Sequence, residues 1–432
     1  MKESQNKPQP KLRLFDEPTD MEPLLPRESV LHDALAMAHD LRTEAARLSG
    51  MCRPNVSDEL AVFLRAMNSY YSNKIEGQHT RPLDLERALH ADFSADLDKA
   101  RLQRLALAHI ETEQWIAGQQ WSTATLYAAD TVTRLHEHLF GQLSEADRTH
   151  LDKTSGDVIV TAPGHLRERN VSVSRHVAPA INDVPAMLER WSVIYGSARR
   201  GEMQVVAAAA SHHRLAWIHP FIDGNGRAAR LHTLAVLRGL GLTDGLWSPL
   251  RGLARGADAY AEKLANADMA RAGDLDGRGQ RSERFLVEWI EHFIAVCLDQ
   301  VRFMTGLLDL AGVESRLAAL LAHEQHTVKS GVRIEALRPL HYLFATQREL
   351  DRRDFAAMTG LGERTASGLI AALLKRALLR SDTPRGPLRF AVPLHALRLL
   401  FPNLWPEAEA DAAQNDGRPR PDSSRHSSGE LR

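Results

Sequence analysis

Residues 218–230 read Ile-His-Pro-Phe-Ile-Asp-Gly-Asn-Gly-Arg-Ala-Ala-Arg and lie between two segments with helical periodicity, 202–217 and 227–240. This order predicts a loop that enters a helix near Gly226. A helix N-terminus presents unpaired backbone N–H groups and the positive end of the helix dipole, which together bind anions. Gly224 and Gly226 also let the backbone approach a ligand closely. The segment therefore predicts a phosphate-binding loop.

Polar side chains in the same loop predict reactivity. Arg227 and Arg230 are three residues apart, so both guanidinium groups extend from one side of the helix. His219 can change its protonation state near neutral pH, which suits a general base. Asp223 supplies a hard oxygen ligand for a Mg²⁺ ion on substrate phosphates, and Asn225 adds a side-chain donor. Together these groups indicate phosphoryl or nucleotidyl transfer.

Two other interpretations of this loop are weaker. His212 and His213, with His219 and Asp223, suggest a metal cluster, but the spacing of a zinc site is absent. A plain helix-entry turn with two surface arginines would leave the joint presence of a histidine, an aspartate and an asparagine unexplained.

Composition excludes several classes of protein. The 432 residues carry 54 Lys and Arg against 55 Asp and Glu, a net charge of −1, so no overall field favours nucleic acid or an anionic membrane. Cys52 and Cys297 are the only cysteines, which suggests a reducing cytoplasm. No apolar run is long enough to span a membrane or to act as a signal peptide. We therefore expect a cytoplasmic protein of two or three domains with no membrane partner.

Helical periodicity dominates the rest of the chain and predicts a mainly α protein. Apart from the two segments beside the loop, it recurs over 31–50, 57–77, 82–120, 126–145, 180–197 and 285–310.

One stretch breaks the helical pattern. Asp157–Val160 and Asn170–Val173 are short β-prone runs on either side of a charged connector that contains Pro and Gly. We interpret residues 157–173 as a small β-hairpin. In a helical body such a hairpin covers a cleft or offers an edge to another chain.

Residues 314–400 show a different pattern. Helix, Gly-containing turn, helix and hairpin follow one another, which predicts a winged helix-turn-helix domain. Across 331–390 there are eleven Lys or Arg and six Asp or Glu, a net charge of +5. Arg364, Arg385 and Arg389 are candidate contacts to DNA phosphates or to a protein partner, and docking to a partner is the favoured role.

These patterns divide the chain into five parts. They are a flexible N-terminal segment (1–30), an N-terminal helical region (31–120), a catalytic core (121–312), the winged helix domain (313–402) and a disordered tail (403–432).

The sequence His219–Arg230, HPFIDGNGRAAR, resembles the signature of the Fic (Fic/Doc) family, HPFx[DE]GNGRxxR, with every fixed position filled. Members of that family mainly transfer AMP from ATP to a hydroxyl side chain of a target protein. The resemblance implies that His219 deprotonates the target hydroxyl and that Asp223 holds Mg²⁺. It also implies that the ATP phosphates are bound by Gly224, Asn225, Gly226, Arg227 and Arg230.

A second motif resembles the inhibitory helix of the same family. Ser72-Asn73-Lys74-Ile75-Glu76-Gly77 matches [ST]xxxE[GN]. A carboxylate at the C-terminal end of a helix is disfavoured by the dipole and needs a cationic partner. The resemblance implies that Glu76 pairs with Arg230 and keeps that guanidinium from the γ-phosphate of ATP. A solvated acid at the end of the helix is the simpler alternative.

The resemblance extends to substrate binding. In the family a hairpin called the flap binds the target segment by strand addition, and here its edge would include Val171, Ser172 and Val173. Tyr260 and Asn266 would line the nucleoside end of the site.

The sequence therefore predicts an autoinhibited protein adenylyltransferase that uses ATP and Mg²⁺. Expected partners are a target protein bearing a Ser, Thr or Tyr hydroxyl, this protein itself through auto-modification, and a second copy in a homodimer. Alternatives are a nucleotide-sensing DNA-binding transcription regulator, a de-AMPylating enzyme, or transfer of another phosphate-containing group at the same site.

Overall fold

Helices make up most of the described chain, which confirms the predicted mainly α class, and the strands form only two-stranded sheets. The computed structural model describes residues 15–51, 54–151, 156–173, 176–197, 200–346 and 349–415. The chain divides into two units. One comprises the residues up to His79 together with Ser94–Gly306, and the other comprises Thr80–Phe93 together with the residues from Leu307 onward.

The first unit contains most of the helices. They are α1 (His32–Met51), α2 (Pro54–Ile75), α4 (Leu97–Gly118), α5 (Thr123–Leu126), α6 (Ala129–Gly141), α7 (Val184–Gly196), α8 (Glu202–Ile218), α9 (Asn225–Gly239), α10 (Leu250–Arg255), α11 (Ala257–Ala267) and α12 (Glu283–Leu307). Predicted helix 82–120 is interrupted between Leu89 and Leu97.

Helices α8 and α9 form the centre of this unit. Residues 205–215 of α8 are buried on every side, and its alanines 207–210 let α1, α7 and α9 approach closely. Helix α9 is buried from Ala228 to Leu237. The loop that joins α8 to α9 is therefore held at both ends by the most enclosed elements of the unit.

The β-prone runs form strands, but they do not pair with each other as predicted for 157–173. Strand β1 (Thr149–Leu151) pairs with β2 (Val158–Val160), and β3 (Ser172–Val173) pairs with β4 (His176–Val177), both antiparallel. The connector between β2 and β3 is bound to the helical core instead of closing a turn, as described below. The predicted single hairpin is thus two short hairpins.

The second unit contains α3 (Pro82–Leu89), which packs against α18, and the C-terminal elements. These are α13 (Leu310–His323), α14 (Leu337–Ala345), α15 (Arg352–Thr359), α16 (Glu363–Lys375), α17 (Leu397–Leu400), α18 (Pro406–Asn415), β5 (Leu379–Arg380) and β6 (Arg389–Phe390). Gly360, with a φ of +70°, ends α15 before α16, and β5 pairs with β6. This order follows the predicted pattern, and the winged helix assignment stays a prediction.

Three parts of the chain differ from the predicted division. Residues from Phe15 to 30 are not a flexible lead-in, because Met21 and Leu24 are buried and the Pro23 carbonyl accepts hydrogen bonds from Arg214. Residues 1–14 lie outside the described part, as does Cys52. The predicted N-terminal helical region is also divided, since Thr80–Phe93 belongs to the C-terminal unit.

The predicted disordered tail begins too early. Residues 406–415 form α18, and Leu404, Trp405 and Ala408 are buried. The Ala, Asp and Ser content of the whole tail obscured this short apolar cluster, and residues 416–432 lie outside the described part. Among the described helices, none has the length and hydropathy needed to cross a membrane.

Candidate active site

The loop between α8 and α9 is shaped by two left-handed residues. His219 caps α8 with a φ of +51°, and its backbone N–H donates to the Leu215 carbonyl at 3.2 Å. Pro220 follows and cannot continue the helix. Gly224 precedes α9 with a φ of +78°, and a Cβ there would lie 2.3 Å from a ring carbon of Phe140. Only glycine fits at this position.

The His219 imidazole is half-buried and neutral. Its Nδ1 lies 3.3 Å from the Ala216 carbonyl, so Nδ1 carries the proton and Nε2 keeps a lone pair. Burial, with a smaller contribution from nearby His176, lowers the pKa of His219 to about 4. An unprotonated imidazole at neutral pH is the form that a general base requires.

Asn225 holds the loop together. Its Oδ1 accepts from the Phe221 N–H and its Nδ2 donates to the Phe221 carbonyl, both at 2.8 Å. The predicted side-chain donor to phosphate is therefore engaged with the loop, and its amide shapes the backbone that faces the ligand.

His136 of α6 binds the backbone of the loop. The sequence analysis did not identify this residue. The Gly164 N–H donates to its Nδ1 at 2.9 Å, which places the proton on Nε2, and Nε2–H donates to the Asp223 carbonyl at 3.1 Å. Its ring stacks on Phe221 with centroids 3.8 Å apart. Burial lowers the pKa of His136 to about 4, so it stays neutral while it links three segments.

The Asp223 carboxylate lies at the edge of the loop with 29% of its side chain exposed. Burial raises its pKa, but Arg227 at 3.5 Å and the Gly224 N–H at 2.6 Å more than offset that effect, so the pKa of Asp223 lies below its ordinary value. The group is ionised and accessible, and a single carboxylate with substrate phosphates suits Mg²⁺. The described residues contain no cluster of three or more His, Cys, Asp or Glu that could hold a metal ion.

Arg230 is buried and makes contacts with α2. Its Nε donates to the Ser72 hydroxyl and its Nη2 to the Ser72 carbonyl, each at 3.0 Å. Nη2 also donates to Oε1 of Glu76 at 2.6 Å. Only 1% of the Arg230 side chain is exposed, against 32% of the Glu76 side chain. Ser72 and Glu76, the two residues of the predicted inhibitory motif, therefore both bond the Arg230 guanidinium.

The Glu76 carboxylate lies over the first turn of α9. A Cβ added to Gly226 would be 2.2 Å from Oε1 of Glu76 and 3.0 Å from Nη1 of Arg230. Although burial raises the pKa of Glu76, Arg230 and then Arg227 lower it below its ordinary value. Helix α2 ends at Ile75, and Gly77 takes the left-handed conformation expected of its stop. The carboxylate thus lies at the N-terminus of α9, where a helix presents its unpaired N–H groups.

Arg227 lies on the other side of the same turn. Its Nη1 donates to Gln78 at 3.2 Å, and its guanidinium lies over the ring of Phe140. Within the described residues, its buried Nε has no hydrogen-bond partner. A phosphate oxygen is a ligand of the right chemistry for such a donor.

The predicted nucleoside residues are placed differently. Tyr260 is buried on α11, and its hydroxyl lies 2.9 Å from Nε2 of His212 and also interacts with Arg230. This packing leaves little of the Tyr260 ring for a base. Asn266 is half-buried six residues later on the same helix. His212 and His213 belong to buried hydrogen-bond networks.

The predicted flap edge lies on β3. Ser172 is exposed, Val171 is half-buried with its carbonyl accepting from the Ala178 N–H, and the Val173 side chain lies outside the described part. In the sheet of the described residues β3 pairs only with β4, so its other edge carries no strand.

The predicted partner contacts belong to the second unit. Arg364 and Arg385 are exposed, at the start of α16 and between β5 and β6. Arg389 is paired with Glu349 at 3.2 Å and Asp382 at 3.0 Å. Arg389 is therefore less available to a phosphate than predicted.

The segment around this loop is similar to known proteins. The sequence model of the Fic/DOC family matches residues 126–237. A protein adenylyltransferase Fic of Nematostella vectensis is 28% identical over 170 residues, which are 39% of this chain and 36% of that protein. One from Drosophila ananassae is 34% identical over 101 residues, 23% of this chain and 17% of that protein. The match thus spans about a third or less of the length of these relatives. Among solved structures, a Fic family protein from Desulfovibrio desulfuricans G20 aligns over 85% of this chain and 98% of its own with 15% identity and a TM-score of 0.48.

The contact between Gly226 and Glu76 predicts an energetic coupling. In Gly226→Ala the new methyl group displaces the carboxylate from Arg230, so we expect the free energy of unfolding to fall by about 1–3 kcal/mol. In a Glu76→Gly background the methyl group no longer meets the carboxylate and only the 3.0 Å contact with Nη1 of Arg230 remains, so the same change should cost clearly less. Denaturant unfolding of the four proteins measures the coupling.

Gly306→Ala is the matched control, because a Cβ there meets no atom within 4 Å. Its effect should be equal in the two backgrounds. An equal effect of Gly226→Ala in both backgrounds would contradict the placement of Glu76.

The low pKa of His219 predicts its titration. We expect the ¹³Cε1 signal of His219, assigned by its loss in His219→Ala, to stay that of the neutral Nδ1–H tautomer down to about pH 5. Since the folded pKa lies below that of the unfolded chain, the unfolded chain takes up this proton first, and stability decreases as pH falls below about 6.5. Titration of His219 near pH 6.5 in the folded protein would show that the ring is not buried as described.

Proposed function

We propose that this Fic family protein is a nucleotidyltransferase that moves AMP from ATP to a hydroxyl side chain of a target protein. The observation that carries the proposal is one loop that joins a neutral imidazole, an ionised carboxylate and an anion-binding helix N-terminus. The relatives that match this segment are named protein adenylyltransferase Fic, which supports the same activity.

The transfer step uses His219 as general base. Nε2 of His219 accepts the proton of the target hydroxyl while the hydroxyl oxygen forms a bond to the α-phosphorus of ATP. The bond from that phosphorus to the oxygen that bridges the α- and β-phosphates breaks, and pyrophosphate leaves. The products are the AMP ester of the target, pyrophosphate and a protonated imidazole. Burial disfavours that charge, so the proton passes on readily to solvent.

The first turn of α9 holds the phosphates. The backbone N–H of Gly226 would bind the phosphates, and Arg227 and Arg230 would balance their charge. The Gly224 N–H donates to Oδ1 of Asp223 and so orients that carboxylate instead. Asp223 would hold a Mg²⁺ ion, which would neutralise charge on the phosphate oxygens. Asn225 acts through the loop, since its amide is bonded to Phe221.

Glu76 inhibits this site in the proposal. Its carboxylate lies over Gly226 and pairs with Arg230, so it competes with the terminal phosphate for the same donors. ATP then lacks one guanidinium and lies in an unproductive pose. Catalysis requires that α2 withdraw Glu76 or that a partner displace it.

The target segment is proposed to bind at the free edge of β3. An extended peptide that pairs with Val171–Val173 would run beside the loop that carries His219. The second unit, with Arg364 and Arg385 exposed, would then bind a protein partner, and selective DNA binding in the absence of transfer would instead favour the regulator.

The inhibitory contact predicts opposite effects for two substitutions. Glu76→Gly should raise labelling of this protein or of a lysate partner by α-³²P-ATP about 10- to 100-fold, because it frees Arg230. His219→Ala in that background should lower labelling at least about 100-fold, because it removes the general base. Peptide mass mapping should show added AMP on a Ser, Thr or Tyr.

Lys74→Gly controls for a loosened end of α2, since it leaves the pair of Glu76 and Arg230 in place and should not activate. Glu76→Gly protein that labels nothing with Mg-ATP, or labelling that persists in His219→Ala, would refute the proposal. A mass other than AMP would identify a different transferred group.

A further inference from the structure

The end of α8 is held by side chains from the segment that follows β2. The last carbonyls of a helix have no partner within the helix, and the negative end of its dipole favours cations. His176 of β4 donates through Nε2 to the Trp217 carbonyl at 2.8 Å, while its Nδ1 lies 3.0 Å from Asp268. The carbonyl of His219 itself, one residue beyond the helix, accepts from Nε of Arg167 at 2.8 Å.

Arg167 has an unusual set of partners for a buried arginine. Besides the His219 carbonyl, its guanidinium donates to the Arg169 carbonyl at 3.1 Å and the Pro179 carbonyl at 2.5 Å. Its backbone N–H donates to the Pro220 carbonyl at 2.9 Å. The residue is 5% exposed, and within the described residues it forms no ion pair with a carboxylate. Burial lowers the pKa of its guanidinium to about 10, which still leaves it charged at neutral pH.

The contacts of Arg167 converge on His219, whose backbone is in the left-handed region. A side chain other than glycine in the left-handed region costs roughly 1–2 kcal/mol and persists only where the surroundings impose it. Arg167 binds the carbonyls on both sides of the bond between His219 and Pro220, so it fixes the direction in which the His219 backbone turns. The direction of the backbone sets the direction of the imidazole.

We propose that Arg167 is a positioning residue that holds His219 in its left-handed conformation, with Nε2 directed toward the ligand. It touches no reacting group and acts through two backbone carbonyls. The same guanidinium bonds the carbonyls of Arg169 and Pro179 on either side of β3 and β4, so it ties the predicted target-binding edge to the general base. The expected effect on kcat rests on the proposed function. The expected effect on the conformation of His219 rests on the geometry alone.

The test compares Arg167→Gln and Arg167→Lys in the Glu76→Gly protein. Loss of the guanidinium should lower kcat for transfer of AMP about 10- to 100-fold and leave KM for ATP and calorimetric binding of Mg-ATP within about twofold, because the phosphate site is untouched. Arg167→Lys keeps the charge but lacks the several N–H donors of a guanidinium, so its kcat should lie between those of the Glu76→Gly parent and of Arg167→Gln.

The ¹³Cε1 signal of His219 provides a readout that needs no activity. In Arg167→Gln it should shift, and its pKa should rise from about 4 toward 6.5 as the ring becomes mobile and more solvated. A thermal unfolding midpoint within a few degrees of the parent shows that the variant is folded; if Arg167→Gln does not fold, Arg167→Lys carries the same measurements.

Arg148→Gln is the matched control. Arg148 also donates to backbone carbonyls, of Leu143 and Thr161, but on the β1–β2 hairpin and not at His219. Arg148→Gln in the Glu76→Gly protein should have the same His219 signal and the same kcat as the Glu76→Gly parent. An unchanged His219 signal in Arg167→Gln, or a rise in KM for ATP at constant kcat, would overturn the inference. A shifted signal in a protein that never transfers AMP would support it while refuting the proposed function.

Discussion

One guanidinium, that of Arg230, organises this site. It is buried at the start of α9 and must be neutralised there, since an unpaired buried charge costs several kcal/mol. Glu76 supplies the counter-charge, and Ser72 and Tyr260 also bond the guanidinium, so α2 is fastened to the start of α9. A triphosphate offers the same chemistry as the Glu76 carboxylate. In the proposed mechanism the two anions compete for one cation, and inhibition would follow from electrostatics without any large movement of the core.

The rest of the first unit holds the loop between α8 and α9 in position beside Arg230. The buried centre formed by α8 and α9 fixes the two ends of the loop, and the loop is then held by groups from distant elements. From distant elements, His136 bonds the carbonyl of Asp223 and Arg167 bonds the carbonyl of His219, while Asn225 at the end of the loop bonds the backbone of Phe221. The conformation of the loop is thus set mainly through its backbone groups, while the His219 ring and the Asp223 carboxylate stay partly exposed.

The two motifs in the sequence predicted most of the residues of the candidate site. The pattern from His219 to Arg230 and the pattern from Ser72 to Glu76 each have a spacing with a chemical reason, and the structure brings the two patterns within 2.6 Å. The sequence did not predict the contacts of His136 and Arg167. Each is a single polar residue outside any motif, and its partner in the loop lies 87 or 52 residues away along the chain. The pairing of the hairpins was wrong because strands of two or three residues carry no register signal, and contacts with the core decide their partners. Helix α18 was missed because Leu404, Trp405 and Ala408 were averaged into a polar tail.

The competition for Arg230 is tested most directly by crystal structures of the parent and the Glu76→Gly protein with Mg²⁺ and an ATP analogue whose α- and β-phosphates are joined by methylene. The account predicts that the γ-phosphate contacts Arg230 in Glu76→Gly, with the α-phosphorus facing Nε2 of His219. In the parent, Glu76 should keep Arg230 and the phosphates should lie elsewhere. A γ-phosphate bound to Arg230 while Glu76 is still paired with it, or a triphosphate away from the start of α9 in both proteins, would contradict the account.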